Sequence, residues 1–285
     1  MLVPLETSRR IDEAFLGYLR STFGPRRPDL RHDYHRSLSE GSDLSRGPIV
    51  QATAPFKPGR SIRELMTAGV LSKGFEQFAD SFPLARALHV HQDQAIVRSV
   101  QHERNLVVST GTGSGKTESF LIPIIEHLLR EREAGTLGTP GVRALLLYPM
   151  NALANDQVKR LRDLLAPVPD ITFGRYTRET KRTQKDAEDD FRQRYPGATL
   201  HPNELISRQA MQEAPPHLLL TNYAMLEYLL LRPADTTFFD GDLAQSWKFI
   251  VLDEAHVYNG AQGTEVAYLL RRLRDRVLKS RRGVL

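Results

Sequence analysis

Apolar and polar positions alternate in two different ways along this chain. Over residues 9–23, Ile11, Ala14, Phe15, Tyr18 and Leu19 recur at helical spacing and predict an amphipathic helix. Residues 24–60 then lose all period and carry Pro, Gly, Ser and Arg, which predicts a long loop or linker. Ser61 and Glu64 stand at capping-box spacing ahead of Leu65 and Met66, with Gly69 placed to end that short helix. Residues 1–70 are therefore read as an N-terminal extension with helix and linker, and 71–285 as one larger domain.

From about residue 90 the rhythm becomes regular. A helix near 91–102 precedes the short apolar run Leu106-Val107-Val108. A Gly-rich turn follows, then a helix from Lys116 to about Glu133. The run Ala144–Tyr148 leads into a helical pattern over 151–165, and Ile171-Thr172-Phe173 is a further strand candidate. Leu218–Leu220 and Phe249–Leu252 are two more strands, each followed by a helical pattern. Short, wholly apolar strands alternating with helices predict a parallel sheet covered on both faces. Right-handed crossovers make this a doubly wound α/β domain. Residues 177–200 interrupt the pattern as a charged, period-free insertion.

Composition narrows the function classes. The chain has 285 residues, 40% of them apolar and 26% charged, enough for a sizeable core. No apolar run approaches the roughly 18 residues of a spanning helix, so no membrane partner is expected. The N-terminus lacks the basic and apolar regions of a signal peptide, and a cytoplasmic location is expected. The lack of cysteine excludes disulfides, Cys-ligated zinc and thiol catalysis. The net charge of +5 is local: Arg271, Arg272, Arg274, Arg276, Lys279, Arg281 and Arg282 face Asp275 alone in the last fifteen residues. A uniformly basic surface is therefore not expected. These basic residues continue the amphipathic pattern of Val266, Leu269, Leu270, Leu273 and Val277, so they read as a solvated helix face and tail.

Candidate chemistry concentrates at two places. Thr110-Gly111-Thr112-Gly113-Ser114-Gly115-Lys116-Thr117 lies between a strand candidate and a helix, the context of a phosphate-binding loop. Glycines let backbone N–H groups approach phosphates closely, and the helix N-terminus favours an anion. Lys116 is placed to contact the β- and γ-phosphates, and Thr117 to ligate Mg²⁺. Thr110 stands where the strict pattern has Gly. The second place is Asp253-Glu254-Ala255-His256, directly after the run Phe249–Leu252. Asp253 can hold Mg²⁺ through water, and Glu254 can orient and deprotonate the attacking water. His256 completes the string and is grouped with the catalytic residues.

With these motifs in place, the chain from about His89 to Arg272 resembles the first RecA-like lobe of a superfamily 2 helicase. The Thr110 form of the loop is common in that superfamily. His91-Gln92 resembles its Q-motif, where a Gln amide reads adenine; here His89 stands where related proteins often have an aromatic ring. Tyr148–Gln157 resembles motif Ia, Gly174–Thr177 the segment after it, and Thr221–Glu227 motif Ib. The wording is similar to bacterial and fungal DEAH-type DNA helicases related to the mitomycin-repair helicase, a group that also occurs in phage defence. The resemblance implies ATP and Mg²⁺ as cofactors and one strand's phosphates lying along these loops. Pro149, Asn151, Arg175, Thr221 and Asn222 are the residues it implies for nucleic acid, DNA favoured over RNA. Arg178 stands where that group usually has Gly.

Superfamily 2 enzymes hydrolyse ATP between two lobes, the second supplying arginine fingers that contribute roughly 10³–10⁵ in rate. No Ser-Ala-Thr motif follows Asp253–His256 in this sequence. The expectation is a first lobe that needs a second RecA-like lobe, in cis or in trans, for full activity. The alternative is a non-catalytic nucleotide-binding module with a regulatory or interaction role.

Overall fold

The computed structural model describes residues 3–40, 55–111 and 113–281. Thr112 and Arg282 of the sequence reading lie outside the described residues. The chain forms two compact units, residues 1–55 and 56–285.

In the first unit α1 (Pro4–Thr22) covers the predicted helix up to Thr22, with Phe23 as its C-cap, and extends it toward the N-terminus. A second helix, α2 (Pro28–Glu40), replaces the first part of the predicted linker. Pro28 opens it, where a missing N–H costs no helical bond, and Asp29 lies in its first turn. Leu38 is its one buried apolar residue, so little apolar period marked the helix in the sequence.

In the second unit β1 (Pro58–Ser61) leads into α3 (Ile62–Thr67). The predicted capping box is formed: the Ser61 hydroxyl accepts from Glu64 N, and the Glu64 carboxylate accepts from Ser61 N at 2.7 Å. β2 (Ala87–His89) pairs antiparallel with β1 and runs into α4 (Val90–Val100). Then come α5 (Lys116–Glu133), β3 (Ala144–Tyr148), α6 (Asn151–Leu165) and β4 (Phe173–Arg175). The insertion contributes α7 (Gln184–Arg194), followed by β5 (Glu204–Leu205) and α8 (Arg208–Glu213). The chain continues through β6 (Leu218–Asn222), α9 (Tyr223–Leu231), β7 (Phe249–Leu252) and α10 (Gly260–Arg281).

The main sheet has the order β5-β4-β6-β3-β7, with every pair parallel. Side-chain alternation divides two cores. Ala144, Leu146 and Tyr148 pack with Ile122, Ile125 and Leu129 of α5 and with Leu161 and Leu165 of α6. Leu145 and Leu147 face Leu226 and Leu229 of α9 and Leu269 and Leu273 of α10. A strand buried on both faces has no polar alternation, which is why these runs read as continuous apolar segments.

One predicted strand is not formed. Leu106–Val108 joins no ladder, and Val107 is 97% exposed. Among the described residues the sheet ends at β7, which pairs with β3 alone. A three-residue run becomes a strand only where a neighbour takes up its backbone groups, and none does so here.

Candidate functional site

The Gly-rich loop meets α5 through two left-handed glycines, Gly113 (φ +73°) and Gly115 (φ +70°). Gly115 is the N-cap residue and offers no side-chain acceptor, so the first N–H groups of α5 are uncapped. The Thr110 and Ser114 hydroxyls share a 2.6 Å hydrogen bond, which gives the residue in place of Gly a role inside the loop. Lys116 Nζ donates to the Thr110 carbonyl at 3.0 Å and the Gly111 carbonyl at 3.4 Å, folding back across the loop. Thr117 follows it, half-buried, in the first turn of α5.

Gln92 is buried rather than exposed on its helix. Its Nε2 donates to the Gly115 carbonyl at 2.8 Å, and its Oε1 accepts from His89 N at 2.7 Å. His91 Nε2 lies 3.0 Å from the Ser114 carbonyl. The start of α4 therefore clasps the loop from the side.

Asp253 and Glu254 follow directly on the C-terminal end of β7. Asp253 N donates to the Leu147 carbonyl, and its Oδ1 accepts from Glu254 N at 3.0 Å. Burial pushes the Asp253 carboxyl above its ordinary value; the Glu254 N–H opposes this, the Glu254 charge adds to it, and the Lys116 charge pulls it back. Lys116 is thus within electrostatic reach of Asp253. Glu254 sits in the left-handed region (φ +49°, ψ +40°), an unfavourable conformation for a non-glycine residue. Its carboxylate lies 3.2 Å from His256 Nδ1, and the His256 side chain is mostly exposed.

The residues read as nucleic-acid contacts divide. Asn151 Oδ1 accepts from Asn222 Nδ2 at 2.8 Å, joining the first residue of α6 to the N-cap of α9. Pro149 is half-buried just ahead of them. Arg175, at the end of β4, bonds Asn155 and, at 3.3 Å, Glu179. Thr221 departs from its expected place: it is fully buried, and its hydroxyl donates to the Tyr176 carbonyl at 2.6 Å. Its side chain closes the β6–β4 side of the sheet and presents nothing to a strand of nucleic acid.

The DEAD/DEAH box helicase family pattern matches residues 90–285. The chain belongs to that family. It is 30% identical to the Druantia protein DruE of Escherichia coli across 94% of its own length, and covers 19% of that protein. It is 33% identical to the ATP-dependent helicase hrq1 of Schizosaccharomyces pombe across 65% of its length, 14% of that protein. The chain thus spans under a fifth of either relative. The fold is similar to the DUF1998 helicase MrfA bound to DNA and AMPPNP, with TM-score 0.53 and 24% identity, covering 78% of this chain and 26% of that one. It is also similar to the DEAD-box helicase Mss116 bound to single-stranded RNA and UDP-BeF, with TM-score 0.54 and 19% identity, covering 78% and 39%.

In this DEAD/DEAH box helicase chain several residues beside the site escaped the sequence reading. The Phe56 ring lies 5.1 Å from that of His89 and 5.8 Å from that of His91, and it neighbours Gly111. Its only signal was an aromatic residue in an otherwise polar stretch. Glu118 of α5 pairs with Arg160 of α6 at 2.7 Å, binding the loop's helix to the helix after β3. Glu179 carried no signal at all, being one acid in a charged insertion.

Proposed function

We propose that this chain is the ATP-binding lobe of a nucleic-acid helicase or translocase acting on DNA, and that it turns over ATP effectively only with a second RecA-like lobe. The observation that carries this reading is the loop itself: left-handed Gly113 and Gly115 lead into a first turn of α5 with no side-chain cap, and Lys116 Nζ lies across the loop on the Thr110 and Gly111 carbonyls. In this reading the uncapped first turn of α5 and the Gly113 and Gly115 N–H groups receive the phosphates, and Lys116 leaves the Thr110 and Gly111 carbonyls to meet them. Phe56, His89 and His91 form an aromatic wall beside Gln92, suited to a purine ring.

The donors suit a hard cation. Thr117 offers a hydroxyl, and Asp253 a half-buried carboxylate with one hydrogen bond to a neighbouring N–H. Thr117 and Asp253 would hold Mg²⁺, which would supply neutralisation of the charge on the transferring phosphoryl group. Glu254 orients the attacking water and takes its proton, with His256 Nδ1 3.2 Å from its carboxylate.

Asn151, Arg175 and Asn222 supply the nucleic-acid side. Amide and guanidinium donors position phosphates without reading bases. Filter binding to single-stranded DNA and RNA at two salt concentrations, with ATP competed by GTP, tests the reading. DNA binding with ATP preference is expected, together with slow hydrolysis. DNA-stimulated turnover of about one per second by this chain alone would overturn the need for a second lobe. Nucleotide binding that stays without turnover when a second lobe is added would favour a regulatory module.

A further inference from the structure

The donors assigned to nucleic acid converge on one acidic side chain. Glu179 Oε1 accepts from Asn151 Nδ2 at 3.3 Å. Its Oε2 accepts from Arg175 Nη1 at 3.3 Å and lies 3.5 Å from Arg194 Nη1. Asn222 joins the set through its bond to Asn151. Four elements or their flanks contribute: α6, the end of β4, α7 and the cap of α9.

The carboxylate is held in place by a built turn. Thr177 N donates to Thr180 Oγ1 at 2.9 Å, and Thr180 Oγ1 donates to the Arg175 carbonyl at 2.8 Å. Arg208 donates to the carbonyls of Thr177, Arg178 and Thr180 and locks the turn from below. Glu179 is thus presented to the donors by backbone geometry. Burial raises its carboxyl, but the Arg175 charge and the hydrogen bonds from Arg175, Asn151 and Arg194 outweigh this and keep it below its ordinary value.

A carboxylate and a phosphodiester each present two anionic oxygens to such donors, and guanidinium groups grip both in the same way. We propose that Glu179 is a built-in competitor for the nucleic-acid backbone, whose carboxylate holds Asn151 and Arg175 until a phosphate displaces it. This rests on the nucleic-acid reading of those two residues. The displaced carboxylate has a place to go. A cavity of about 70 Å³ adjoins it, lined by Arg162, Lys181 and Arg194 together with the carboxylates they already pair with, Glu204 and Asp190, so there is room for it to turn away beside an existing ion-pair network. The exchange makes grip weaker and release easier, which suits a protein that moves along a strand.

The test is single-stranded DNA affinity of the full chain at fixed salt for wild type, Glu179→Gln, Glu188→Gln and Arg175→Ala. Glu179→Gln is expected to tighten binding about two- to fivefold, the scale of exposed charge pairs. Glu188 belongs to the same insertion but bonds only Gln184 and Arg192 among the contacts seen, so Glu188→Gln controls for general loss of negative charge. Equal tightening by both variants, or unchanged or weaker binding by Glu179→Gln, overturns the competitor role. If Arg175→Ala weakens binding while Glu179→Gln does not tighten it, the competitor role fails and the nucleic-acid site stands. If Arg175→Ala has no effect, both fail. Thermal melts confirm that the variants are folded.

Discussion

Gln92 Nε2 donates to the Gly115 carbonyl at 2.8 Å, and a Cβ on Gly115 would lie only 2.4 Å from that same nitrogen. The clasp between α4 and the phosphate-binding loop thus depends on Gly115 twice, for its left-handed backbone and for its missing side chain. Gly115→Ala is expected to lose about 1–2 kcal/mol from backbone conformation, more from displacing Gln92, and most of its nucleotide affinity. Gly113 is also left-handed, but a Cβ there would meet nothing within 4 Å, so Gly113→Ala should carry the backbone cost alone. Melting curves and titration with a fluorescent ATP analogue compare them; equal losses would contradict the clasp.

Lys116 and Glu254 should separate binding from hydrolysis. In the proposed reading Lys116 is the cation that meets the phosphates, so Lys116→Ala is expected to lose MgATP binding. Glu254→Gln keeps the size and polarity of the side chain but removes the base, so it should retain nucleotide while turnover falls about 10²–10⁴-fold. The comparison is made in the presence of a second lobe, and retained turnover in Glu254→Gln would remove Glu254 from the base role.

Asp253 makes stability depend on pH. Its folded value lies above its unfolded one because burial opposes the charged form. The cost of holding it ionised is fully present above the raised value and is relieved as pH falls through that value toward the ordinary carboxylate range. Asp253→Asn should therefore melt higher than wild type near neutral pH, and the difference should shrink on acidification. A difference that grows as pH falls would reverse the assignment.

Arg162 and Glu204 form a buried two-pronged ion pair at 2.6 and 2.7 Å, with Arg162 stacked 5.1 Å from the Phe191 ring centre and 5.2 Å from that of Tyr195. The pair anchors α7 of the insertion to α6 and β5. Arg162→Ala leaves Glu204 buried and unpaired, with an expected loss of about 3–5 kcal/mol. Hydrogen exchange should show α7 opening first, and a variant that melts like wild type would refute the anchor.

Much of the fold was legible in local pattern. The expected bounds of α5, α6, β3 and β7 agree with the structure, because each is set by its own apolar run and neighbouring turn. The Ser61–Glu64 capping box was readable for the same reason, since all its partners lie within four residues. The phosphate-binding loop and Asp253–Glu254 were visible because their chemistry needs particular residue types in fixed order.

Partners distant in sequence decided the rest. Leu106–Val108 has the apolar character of a strand, but a strand exists only where another strand takes its backbone bonds, and β7 does not. Thr221 has the polarity of a contact residue, but folding places the Tyr176 carbonyl against it and buries it. Glu179 looks like any surface acid until the fold brings Asn151, Arg175 and Arg194 to its carboxylate. The sequence by itself determined which residues could do phosphate chemistry, through type and spacing. Tertiary structure decided which remain available for it, because hydrogen-bonding groups and charges are claimed by whichever partners the fold brings within reach.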